Sequence, residues 1–268
     1  MTRRVVFVCA LLLIQACGRK AGKAENKAPE QPAQPATQEA QPGQLDVAAA
    51  SNLTEVAAKL GEKFEAETKI HCTFSFGSTA QLTQQIENGA PFDLFVSADA
   101  AHVEELEKMG LLAEDGRQRY ATGVLVLWIP PGSKASVTRI EDVTRPEVRV
   151  IAVAKPELAP YGKAAVESLQ HTGIWEVAKD KVVYAENISM ARQYGTSGNA
   201  DAVFTAKSLV LNDGGKVLDV DDALHAPLTQ ELGVLAKSPH VAGARRFVAF
   251  LRNGTGLGIL KAAGYRVP

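Results

Sequence analysis

Between Leu45 and Met109, short apolar runs alternate with helical periods, and this alternation narrows the possible folds more than any other feature of the chain. Leu45-Asp46-Val47-Ala48-Ala49-Ala50 reads as a strand. Leu53 to Thr68 follows, with apolar residues at 53, 56, 57, 60 and 64 forming one stripe of a helix. Ile70 to Phe76 is a second strand, and the helix after it, about Ala80 to Asn88, puts Leu82 and Ile86 on one face. Asp93 to Ser97 is a third strand, leading into a helix over roughly 101–109. Strands joined through helices must run parallel, with the helices packed on the faces of the sheet, so the expected class is α/β.

A second set of the same kind follows. Gly123 to Ile129 is almost continuously apolar and reads as a strand buried on both faces. Strands are expected near 148–153, 182–184, 202–205 and 231–236, with helices near 161–170, 188–194 and 242–252. The length suits one large domain or two small lobes.

The N-terminus sets an address. Arg3-Arg4, the apolar run Val5 to Ile14 and the closing Gln15-Ala16-Cys17 form a secretory signal over residues 1–17, too short to span a bilayer as a mature helix. Ile14-Gln15-Ala16-Cys17 resembles a bacterial lipobox, in which the signal is removed and Cys17 carries lipid. Residues 18–44 hold Ala, Pro, Gln, Glu and Lys and no larger apolar side chain, so they are expected to be a disordered tether reaching roughly 30 Å on average. A formal charge of −1 offers no basic field for nucleic acid. Of the three cysteines, Cys9 leaves with the signal and Cys17 takes lipid, so Cys72 has no partner for a disulfide.

Chemistry concentrates where strands hand over to helices. Ala50-Ser51-Asn52-Leu53 and Phe76-Gly77-Ser78-Thr79-Ala80 both place small hydroxyl or amide residues at such a junction. In an open parallel sheet ligands bind at the carboxyl ends of the strands, where free N–H groups and about +0.5 charge of helix dipole favour an anion. The same residue types are also ordinary helix caps, and either reading fits each junction taken alone. In the second set, Pro156 to Gly162 carries Tyr161 to a helix start, as a donor into a cleft or as a packing residue. Asn187 caps the helix that begins at Ile188, which has only its backbone N–H to offer.

Taken together, Asp46 to Thr54, Phe76-Gly77-Ser78-Thr79, Gln85 to Asp99, Pro156 to Gly162 and Ala262-Ala263-Gly264-Tyr265 resemble the molybdate-binding proteins of bacterial ABC importers. The resemblance runs over nearly all of Leu45 to Pro268, and its Gly-Ala-Pro-x-Asp-x-Phe-x-Ser-Ala-Asp run at 89–99 is specific. It implies a two-lobed periplasmic binding fold of type II, each lobe a mainly parallel sheet with flanking helices. Residues 45–122 with 229–268 would form lobe 1 and residues 123–228 lobe 2. The cleft between them would capture molybdate or tungstate for delivery to the membrane subunits of an ABC importer. The protein would be a periplasmic, membrane-anchored lipoprotein without a cofactor. Ser51, Asn52, Ser78 and Thr79 would serve from lobe 1, with Asn52 and Thr79 as side-chain donors. Tyr161 and the Ile188 N–H would serve from lobe 2. Molybdenum would enter as the oxyanion, with no site for a metal cation. Relatives of this kind place a ligand-facing tyrosine where Ala206 aligns, and Tyr161 is expected to take over its hydroxyl.

Two other readings are weaker. Sulfate or another small anion would suit the same fold. An extracytoplasmic serine hydrolase would draw on Ser51, Ser78 or Ser97 and on His71, His102, His171, His225 or His240, but no Gly-x-Ser-x-Gly elbow is present.

Overall fold

The computed structural model describes residues 43–267. The signal, Cys17 and the tether as far as residue 42 lie outside the described residues, and Gln44, the last residue of the expected tether, already belongs to the first strand.

The first elements are β1 (Gln44–Ala50), a 3-10 turn over Ser51–Leu53 that runs into α1 (Thr54–Thr68), β2 (His71–Gly77), α2 (Thr79–Glu87), β3 (Leu94–Val96), α3 (Ala101–Lys108) and β4 (Leu112–Thr122). The chain then forms β5 (Leu125–Ile129), β6 (Ile151–Ala154), α4 (Pro160–His171), α5 (Trp175–Ala178), β7 (Val182–Ala185), α6 (Ile188–Thr196), β8 (Ala202–Ala206), α7 (Lys207–Val210) and β9 (Lys216–Asp219). It ends in β10 (Thr229–Leu235), α8 (Val241–Arg252) and α9 (Thr255–Ala262).

Two sheets result, ordered β2-β1-β3-β10-β4 and β7-β6-β8-β5-β9. They are built alike. In each, three strands made by βα units pair in parallel, and two further strands extend the sheet antiparallel. The chain crosses between sheets after β4 and returns before β10.

Each sheet closes its own core. On one face of the first, Phe64 of α1 meets Phe247 of α8 edge to face at 5.0 Å, with Phe250 at 5.4 Å. Leu82 and Ile86 of α2 join Phe95, Val103 and Leu106 on the other face, the helical stripe read from sequence. The second sheet surrounds Trp128 and Phe204, and all five residues of β5 are buried. Cys72 is buried on β2, where loss of solvent pushes its thiol up to about 12, an inert packing group.

Register brings the strand ends together. Ala50 pairs with Gly77 at the carboxyl ends of β1 and β2, and Ala49 with Val96 near the end of β3. In the second sheet Ala154 pairs with Ala185 where β6 and β7 end. Helix α4 then starts so close to β6 that a Cβ on Gly162 would lie 2.0 Å from the Ala154 carbonyl oxygen. That neighbour is backbone and cannot swing aside. Gly162→Ala should therefore lose about 1–3 kcal/mol of stability, the usual cost of overpacking, read as a lowered urea midpoint with unchanged slope.

Candidate functional site

Four helix starts face one cavity. Ala50, Ser51 and Asn52 come from the β1–α1 junction, Gly77, Ser78 and Thr79 from β2–α2, Ala159, Pro160 and Tyr161 from the start of α4, and Ile188 from the start of α6, with Ala98 completing the wall. The cavity is tight, with a volume of about 10 Å³. All six residues singled out from sequence line it, and none is more than 4 % exposed. No charged side chain does so. The first amides of a helix have no intrahelical acceptor, so each of these junctions brings polar N–H groups and the positive end of a dipole to the same small volume.

Ser78 is the N-cap of α2 and its N–H donates to the Gln81 side chain at 3.4 Å, but its own hydroxyl makes no capping bond. Ser78 Oγ and Thr79 Oγ1 are buried without any hydrogen-bond partner. A cap would have its oxygen occupied by a first-turn amide. Leaving a buried hydroxyl unpaired costs about 1–3 kcal/mol, and two such groups side by side on one cavity wall suit an anion that accepts from both.

The side chain of Asn52 does not supply the donor expected of it. Its Nδ2 donates to Gln230 Oε1 at 3.1 Å and to the Tyr265 hydroxyl at 2.9 Å, both within the first sheet's own half of the molecule. Beside its backbone N–H, Asn52 keeps an Oδ1 that is buried without a partner. Tyr161 behaves differently. Its hydroxyl accepts from Gln230 Nε2 at 2.9 Å, which leaves the phenolic proton to be donated. Ala206 ends β8, fully buried, and is not part of the cavity wall. Sequence reasoning missed Gln230, which belongs to no local motif, and gave Tyr265, in the quoted Ala262 to Tyr265 run, no role at the site.

The halves of the molecule meet around this cavity through polar bonds. Ser189 Oγ donates to the Ser51 carbonyl at 2.8 Å, and Ser208 Oγ to the Asn52 carbonyl at 2.9 Å. Ala80 N–H donates to the Leu158 carbonyl at 3.1 Å, and Arg192 reaches Glu55 at 2.7 Å while also holding Asp213. The chain is thus closed over the cavity.

The hydrolase constellation does not assemble. His102 sits on Asp99 at 2.8 Å, which raises its pKa through that hydrogen bond against the opposing effect of burial. His71 pairs with Glu65 and His240 with Asp93, while His171 and His225 meet carbonyls. Among the described residues, no histidine nitrogen hydrogen-bonds Ser51, Ser78 or Ser97.

Residues 45–266 match the bacterial extracellular solute-binding protein family. The molybdate-binding protein ModA of Rhodobacter capsulatus is 34% identical over 227 residues, covering 83% of this chain and 88% of its own. ModA of Azotobacter vinelandii is 35% identical over 231 residues, covering 84% and 91%. The solved structure of the Azotobacter vinelandii periplasmic molybdate-binding protein superposes with a TM-score of 0.79 at 29% identity, covering 84% of this chain and 99% of that one.

Two outcomes follow from the geometry alone. Ser78→Ala and Thr79→Val, melted without ligand, should be as stable as the parent or more so, because each deletes an unpaired buried hydroxyl. Capping would predict a loss of about 1 kcal/mol instead. The second concerns alkali. Tyr120, Tyr161 and Tyr265 are fully buried, and loss of solvent raises the pKa of all three. Their folded values exceed the unfolded value of about 10, so the folded state keeps more protons above that pH. Their contribution is complete below about pH 10 and is lost as pH rises further. In an alkaline titration the phenolate absorbance of these three should rise together with unfolding, and not before it.

Proposed function

The chain belongs to the bacterial extracellular solute-binding proteins, and we propose that it captures molybdate in the cavity between its two sheets and delivers it to an ABC importer. Lobe 1 comprises residues 45–122 and 229–268, and lobe 2 residues 123–228. The observation that carries the site is the pair of buried, unpartnered hydroxyls on Ser78 and Thr79. The relatives named above carry the identity of the ligand. In this reading Ser78 Oγ, Thr79 Oγ1 and the Tyr161 hydroxyl donate to ligand oxygens, joined by backbone N–H groups of Ser51, Asn52 and Ile188. Cys17 carries the lipid that holds the protein to the membrane, with residues after it acting as the tether.

Neutral donors suffice. A hydrogen bond to a charged group contributes about 1.5–3 kcal/mol, and micromolar binding needs about 8 kcal/mol. Several such bonds exceed that figure after ordering costs. A tetrahedral dianion with no proton accepts from every donor, so tungstate should bind as well. Hydrogen phosphate must itself donate, and the backbone N–H groups and the Tyr161 hydroxyl offer it no acceptor. Sulfate, also free of protons, would be excluded only by fit.

Calorimetric titration tests this. Molybdate and tungstate should bind and raise the melting temperature by mass action, and phosphate should do neither. Thr79→Val and Tyr161→Phe should each weaken molybdate about 10- to 150-fold. Absence of a molybdate response, or an equal response to phosphate, would refute the ligand. Parent-like molybdate affinity in both variants would refute the site and leave the fold intact.

A further inference from the structure

We propose that Gln230 is a positioning residue that fixes Tyr161 as an obligate hydrogen-bond donor toward the cavity. The proposal rests on the oxyanion-binding reading above and deepens it, by assigning the selection against proton-bearing anions to a residue outside the cavity wall.

The argument starts at Tyr265. Its hydroxyl lies 2.9 Å from the Asn52 carbonyl, to which it donates its single proton. Toward the Asn52 side chain, also 2.9 Å away, the same oxygen must therefore accept, so Asn52 presents Nδ2 and not Oδ1. That Nδ2 is also 3.1 Å from Gln230, which must then present its Oε1. The Tyr120 hydroxyl has one proton and two acceptors within reach, the Ser97 carbonyl at 3.0 Å and the same Oε1 at 2.7 Å, so the orientation of Gln230 is set by Asn52. With its oxygen turned to Asn52, Gln230 has only its Nε2 for Tyr161, at 2.9 Å. The Tyr161 oxygen is thereby an acceptor on that side. Among the described residues no group accepts its proton, and Tyr161 lines the cavity.

The assignment has a second support in the backbone. Gly123, where the chain crosses from β4 to β5, packs directly against this bond. A Cβ there would lie 2.1 Å from the Tyr161 hydroxyl and 2.5 Å from Gln230 Nε2. Gln230 itself is fully buried, so neither partner has room to turn away. A free serine or threonine hydroxyl can rotate to accept from a protonated ligand. Tyr161, held in this way, cannot.

The test uses Gln230→Glu. A carboxylate keeps the acceptor role toward Asn52 but cannot donate, so Tyr161 must donate to it and turn its lone pair to the cavity. Molybdate and phosphate are titrated into the parent, Gln230→Glu, Tyr161→Phe and the double variant. Molybdate affinity should fall at least about tenfold in Gln230→Glu, the loss of one donor to a charged group. The ratio of phosphate to molybdate affinity should rise by a similar factor. An added negative charge alone would weaken both anions without raising that ratio. In the Tyr161→Phe background, which has no hydroxyl to reverse, Gln230→Glu should leave the ratio unchanged. If Gln230→Glu does not fold, the ratio is read on Gln230→Met, which frees the phenol to rotate and should also raise it. A ratio unmoved by the single variant, or moved equally without the hydroxyl, overturns the assignment. A parent that does not bind molybdate overturns the ligand reading instead, so the two failures are distinct.

Discussion

Burying a hydroxyl without a partner costs about 1–3 kcal/mol, and this molecule holds Ser78 and Thr79 in that condition side by side. Such a cost persists only where the surroundings fix the groups in place. Here both sit where β2 meets α2, a junction locked by the β1–β2 register below and by Leu82 and Ile86 of α2 packed on Phe95. The same logic covers the other walls. Tyr161 is the second residue of α4, pressed against β6 through Gly162. Ile188 opens α6 behind the Asn187 cap, whose side chain accepts from Met190 N–H. Rigid elements carry the donors, so little ordering remains for the ligand to impose.

The absence of charge from the cavity wall divides the work between inside and rim. An arginine there would bind an anion more strongly but would need its own countercharge in the empty state. Dipoles and hydroxyls need none. Charged groups are kept to the edge, where Arg192 bridges Glu55 and Asp213 and Lys155 meets Glu186. Partly exposed pairs of this kind contribute little, typically under about 1 kcal/mol. Of these pairs only Arg192–Glu55 crosses between the halves, beside the neutral bonds Ser189–Ser51, Ser208–Asn52 and Gln230–Tyr161. A ligand contacting both halves shifts the balance toward the closed state by its differential affinity for it.

Much of this was legible in the chain. The strands Leu45 to Ala50, Ile70 to Phe76 and Gly123 to Ile129 carry long apolar runs, and the helices after the first two have clean stripes, so they were found within a few residues. Strand β4 was not, because Leu112–Thr122 includes Glu114-Asp115-Gly116-Arg117-Gln118-Arg119 and lies at a sheet edge with irregular pairing to β10. Edge strand β9 is short and mostly exposed. Helix α9 has glycines at 256 and 258, which hide its propensity, although Ile259 and Leu260 bury it. At the site, small polar residues at strand-to-helix junctions were a local signal and led to the wall. The commitment of Asn52 to Tyr265, 213 residues away, had no local signal at all. Hydrogen-bond polarity belongs to a network, and a network spread over five distant segments is visible only once the chain is folded.

Stability and binding are separable in this design. The aromatic cluster of Phe64, Phe247 and Phe250 lies wholly within one half, and Trp128 with Phe204 wholly within the other. Apolar contact between the halves is slight, with Ala50 and Ala98 the two residues of the first half that join the second half's cluster. Apolar burial contributes about 25 cal/mol per Å², so two alanines add little to closure beside the cores on either side. Each half can then remain folded while the cleft opens, and its hydroxyls, once solvated, no longer carry the burial cost. The strain of unpaired donors is thus confined to the closed, empty state. That state is the one a solute-binding protein gains from disfavouring, because every kilocalorie that destabilises it widens the gap that the bound anion closes.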